Sequence, residues 1–134
     1  MASPRKILVP LNTGSKDLKG VYHALALAAR MQAKVIILKI DLEGKSGRTE
    51  MATWVEEALH DLVQSASRQG LPVSYHIAQE GFDKEIRGLI AQENIDLLVF
   101  GAGDKRMANA LQKLRSQVST QFIQVKEKGT VHYV

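Results

Sequence analysis

The chain has 134 residues, 45% of them hydrophobic and 24% charged, with a formal net charge of +4 and no cysteine. That is the size and balance of one globular domain, 1–134, and it excludes disulfides, cysteine metal sites and thiol nucleophiles. No apolar run approaches the ~18 residues that cross a bilayer, and Met1–Arg5 lacks a signal-peptide core, so we expect a cytoplasmic protein with no direct membrane insertion.

The basic residues are scattered and aromatics make up only 5%. A solvated surface is therefore the expectation, with no nucleic-acid partner.

In chain order, Lys6–Leu11 reads as a first strand with Pro10 near its end, and Asn12-Thr-Gly-Ser15 as a turn. Leu18–Met31 has helical spacing, with Asp17 placed for the first turn of that helix. Lys34–Ile40 is rich in β-branched residues and predicts a second strand. Asp41–Gly47 reads as a loop, and about Thr49–Gln69 as an amphipathic helix stopped by Gly70 and Pro72.

Val73–Ala78 alternates and predicts an exposed third strand. A helix follows from Asp83, a candidate N-cap, to Glu93, with Asn94 as its stop. Asp96–Phe100 contains an unbroken apolar run, as expected of a strand buried on both faces, and Gly101 and Gly103 follow it. A last helix is expected from about Ala108 to Lys126, with Val118, Phe122 and Val125 extending its apolar side, stopped by Gly129. Thr130–Val134 would be the fifth strand.

This alternation predicts an α/β fold: a five-stranded parallel open sheet, order 3-2-1-4-5, with helices on both faces. Ligands bind such sheets where strand order reverses. The expected pocket lies between Leu11–Ser15 and Gly101–Met107.

Lys6-Ile-Leu-Val-Pro-Leu-Asn12 and the segment Gly81…Ile86…Ala91…Asp96-Leu-Leu-Val-Phe-Gly101 resemble the universal stress protein (UspA-like) family over essentially the whole chain. The resemblance implies the sheet already derived (an adenine nucleotide alpha hydrolase-like fold) and a homodimer formed through the last strand. Nucleotide-binding members carry G-x-x-G, about nine residues, then G-[ST] after the fourth strand, and an Asp in the first. Here Asn12 replaces that Asp, Asp104 stands at the second glycine, and Arg115-Ser116 at G-[ST]. The chain looks closer to the family's branch that lacks the motif and does not bind ATP.

The resemblance implies a candidate nucleotide pocket at Pro10, Leu11, Asn12, Ile40, Gly101, Gly103 and Ser116. For Gly101 and Gly103 a tight turn is the competing reading. Val131, His132, Tyr133 and Val134, as an exposed edge, are the expected dimer strand. The four histidines have no i, i+4 pair, and no serine sits in a G-x-S-x-G elbow, so neither a metal site nor an enzyme is expected.

The leading expectation is a dimeric binding and regulatory module without a required cofactor. One alternative is a divergent sensor of ATP or AMP. Another is the soluble regulatory domain of a larger membrane transporter.

Overall fold

Strand β1 (Lys6–Asn12) is the centre around which the sheet forms, and six of its seven residues are buried. It pairs in parallel with β2 (Lys34–Ile40) along its whole length, from Lys6 opposite Lys34 to Asn12 opposite Ile40. On its other side it pairs in parallel with β4 (Leu97–Gly101), but only at Ile7 and Leu8. This is a computed structural model, and it describes residues 5–15, 17–42, 51–79, 81–101, 105–126 and 131–133.

The sheet order is β3-β2-β1-β4-β5-β6, where β3 is Val73–Ile77, β5 is Gln121–Val125 and β6 is Val131–Tyr133. The first five strands are parallel in the expected order 3-2-1-4-5. The helices are α1 (Lys19–Met31), α2 (Thr53–Arg68), α3 (Phe82–Glu93) and α4 (Lys105–Arg115).

The period of two along β1 divides the core. Ile7, Val9 and Leu11 face α1 and α2, packing with Val21, Ala24, Val55 and Leu59. Leu8 joins Ile36, Leu98 and Phe100 on the opposite side, under Ile86 of α3 and Met107, Leu111 and Leu114 of α4. A sheet covered on both faces explains why β1, β2 and β4 are apolar without alternation.

The C-terminal quarter departs from the sequence expectation. The helix expected to reach Lys126 ends at Arg115, and the fifth parallel strand is Gln121–Val125 instead of Thr130–Val134. Val131–Tyr133 forms a sixth strand, antiparallel to β5. Val118, Phe122 and Val125 satisfy a helical period by coincidence. In the fold, Phe122 faces one core while Ile123 and Val125 face the other. The buried Thr120 hydroxyl donates to the Ile95 carbonyl at 3.0 Å and anchors the start of β5 beside β4.

Two helix starts also move. Leu18 is the N-cap residue of α1, so Asp17 lies outside the helix and its Oδ1 accepts the Lys19 N–H at 3.1 Å. Gly81, not Asp83, occupies the N-cap of α3, and Asp83 pairs with Arg87 one turn on. The helix expected from Thr49 begins at Thr53, and most of the Asp41–Gly47 loop lies outside the described residues. The expected stops hold: Gly70 has φ +82° and Asn94 φ +54°.

Candidate functional site

The pocket begins where β1 and β4 part. Their pairing ends after Leu8–Leu98, and Pro10, lacking an N–H, follows two residues later. Beyond that point the strands are unzipped and a cavity of about 270 Å³ opens between their C-terminal ends. Pro10, Leu11 and Asn12 form one wall, Gly101 the other, with Asp17 just before α1, Gly20 in its first turn and Met107 from α4. This is the reversal point of the strand order, where open α/β sheets take ligands.

Asn12 is 8% exposed and works partly as a brace. Its Oδ1 accepts the Leu42 N–H at 3.3 Å, holding the chain beyond β2. Its carbonyl accepts the Ser15 N–H at 2.9 Å, which shapes the turn at the pocket edge.

Helix α1 crosses the end of β4 closely. A Cβ at Gly20 would lie 3.2 Å from the Gly101 nitrogen and 3.3 Å from the Phe100 carbonyl carbon. A Cβ at Gly101 would lie 3.6 Å from Asp17 Oδ1. Gly101 has no positive φ, so its role here is close helix–strand approach and not turn geometry. Among the described lining residues, Asp17 supplies the only formal charge, and it sits against the glycine that would begin a phosphate cradle.

The structure gathers Pro10, Leu11, Asn12 and Gly101 at the pocket, while Ile40 stands opposite Asn12 in register without lining it and Ser116 lies apart. Ile40 is 2% exposed in the α3–α4 core, and its carbonyl accepts the Thr13 N–H at 3.0 Å. Ser116 follows the C-terminus of α4. Because α4 runs back from the end of β4 to the start of β5, Ser116 lies at the opposite end of the sheet from the pocket. Helix α4 opens at Lys105, four positions after Gly101, so the stretch from Lys105 to Arg115 that stands for the motif's spacer is helical here. Gly103 and Asp104 lie outside the described residues.

Two lining residues carry more weight than the sequence reading gave them. Asp17 reads there as a dipole-compensating residue, and Gly20 carries no reading at all. The spacing Asp17-Leu-Lys-Gly20 at the head of the first helix is the signal that a helix start is fitted closely to a neighbouring strand.

Among the described residues, no group of three His, Cys, Asp or Glu could hold a metal ion, and no helix is long and apolar enough to cross a membrane.

The fold is shared with several solved structures. A UspA from Lactobacillus plantarum superposes with a TM-score of 0.67 at 18% identity, covering 92% of this chain and 99% of that one. A universal stress protein in complex with cAMP gives 0.63 at 19% identity over 93% and 98%. The Archaeoglobus fulgidus universal stress protein in complex with dAMP gives 0.62 at 15% identity over 90% and 96%. No curated protein sequence matches the chain. The model of the universal stress protein family matches residues 4–124, and the chain belongs to that family.

Proposed function

We propose that this chain is a dimeric binding and regulatory module, not an enzyme, and that its pocket takes a small ligand without a phosphate group. The observation that carries the reading is Asp17. Two like charges about 4 Å apart near a protein surface repel by about 4 kcal/mol, so a phosphate approaching Gly101 meets a cost where the family's phosphate motif supplies backbone donors. The volume agrees: about 270 Å³ lies just under the roughly 300–1,000 Å³ of pockets for drug-sized ligands. A ligand on the scale of a nucleoside suits it.

The chemistry of the walls supports binding over catalysis. Asn12, Ser15 and Asp17 are the lining side chains with polar atoms, and the described lining includes no histidine, lysine or arginine. We place the protein in the cytoplasm, where a chain with no cysteine is indifferent to reduction. Self-pairing across β6, the outer strand on the β5 side, is the proposed route to the dimer.

The second reading, a nucleotide sensor, is favoured by the cAMP and dAMP complexes of structures with the same fold. Thermal melting with millimolar ATP or AMP and Mg²⁺ separates the two. A ligand present at 100 times its Kd adds about 2.7 kcal/mol to stability, so a nucleotide sensor melts clearly higher. Our reading predicts that neither nucleotide raises the melting temperature more than adenosine does at the same concentration, and a clearly larger rise with ATP or AMP overturns it.

A further inference from the structure

The pocket has two polar ends of opposite sense. At one stands Asn12, 8% exposed. Its Oδ1 accepts the Leu42 N–H at 3.3 Å. That bond fixes which way the amide points and turns Nδ2 to the other side. Nδ2 lies 3.8 Å from where a Cβ on Gly14, a lining residue, would stand. Among the described residues nothing accepts a hydrogen bond from it. A donor so deeply buried is costly unless a ligand or water takes its proton.

At the other end stands Asp17. Its Oδ1 accepts the Lys19 N–H at 3.1 Å and lies 3.6 Å from the Cβ position of Gly101. The carboxylate is thus held against the end of β4. Among the described residues no cation pairs with it, and Oδ2 accepts no hydrogen bond. The chain has 18 Lys and Arg against 14 Asp and Glu, so an unpaired acid on a pocket wall is not for want of basic partners. Lys19, Lys105 and Arg106 are near in sequence to the lining residues, yet none of them lines the pocket. Val9, Leu11, Val21 and Met107 supply the apolar wall between the two ends.

We propose that the pocket selects a small organic cation: a body of nucleoside size whose protonated amine is held by Asp17 and whose acceptor atom takes the Asn12 amide. This deepens the reading of a ligand without phosphate and rests on it. The carboxylate that repels a phosphate at Gly101 attracts an ammonium at the same place. An ammonium carries three N–H donors and needs only one carboxylate to hold it. A metal ion needs several ligand groups at once, and among the described residues no three His, Cys, Asp or Glu stand together. The free carboxylate therefore favours an amine over a metal.

The test is calorimetric titration of the whole chain at neutral pH with adenosine, AMP and the aminodeoxyadenosine that carries a protonated amine in place of the phosphate of AMP. Backbone amide shifts locate the binding. The amine should bind about fivefold more tightly than adenosine. The gap should narrow with added salt, and the shifts should centre on Asn12, Asp17 and Gly101. Asp17→Asn keeps the shape of the side chain and removes its charge, so the advantage of the amine over adenosine should vanish. An amine that binds no better than adenosine or not at all, an advantage that survives Asp17→Asn, or shifts away from the pocket would overturn the proposal. In those cases adenosine binding at least as tightly as AMP would leave the phosphate-free pocket standing. AMP binding about tenfold tighter than adenosine would overturn both.

Discussion

Replacing Asp17 by Asn removes the charge that borders Gly101 while keeping an oxygen to accept the Lys19 amide at the head of α1. If that carboxylate is what excludes phosphate, Asp17→Asn should strengthen AMP binding by about tenfold or more, equivalent to about 1.4 kcal/mol. Calorimetry of the variant and the parent checks this, and equal affinities would remove Asp17 from the account. His23 gives a second residue-scale outcome. Burial, then the neighbouring Arg30, lowers its folded pKa below the ordinary value of 6.5. As pH falls through that value, the unfolded chain takes the proton first, so stability declines with acidification until the folded value is passed. Urea midpoints at about pH 7.5 and about pH 5.5 should therefore differ less in His23→Gln than in the parent. Only part of this was legible in the sequence. Pro10–Asn12 and Gly101 stand out because they end the apolar strands on either side of the order reversal. Asp17 does not, because its partner Gly101 is 84 positions away and meets it only through the seating of α1.

The junction of α1 with β4 belongs to the scale of elements. A methyl at Gly20 would stand 3.2 Å from the Gly101 nitrogen and 3.3 Å from the Phe100 carbonyl carbon, both backbone atoms that cannot turn aside. Forcing such contacts costs about 1–3 kcal/mol, while alanine regains up to about 1 kcal/mol of helix propensity over glycine. The clash wins, and Gly20→Ala should lower the unfolding free energy by about 1–2 kcal/mol, read from denaturant midpoints. An unchanged midpoint would mean that α1 sits further from β4. The same scale shows where a sequence pattern misleads. β1, β2 and β4 were legible because their apolar runs are bounded by turns. β5 was not, because a strand buried on both faces has no alternation to show. Its Phe122 and Val125, with Val118 before them, also fit the helical spacing begun at Leu111 and Leu114.

For the whole molecule, the β6 edge is proposed to pair with its copy across a two-fold axis. Sedimentation at micromolar concentration should give twice the 14.8 kDa chain mass, and deletion of residues 130–134 should give the monomer without altering the melting of the β1–β5 core. A parent chain that sediments as a clean monomer would contradict the β6 dimer.

The pocket carries the proposed function, and structures of the same fold have been solved with cAMP or dAMP. The direct measurement is calorimetric titration of the parent chain with adenosine, AMP and ATP under one set of conditions. The account predicts that adenosine binds at least as tightly as either nucleotide. AMP or ATP binding about tenfold tighter than adenosine would contradict it, because the phosphate would then be gripped in spite of Asp17.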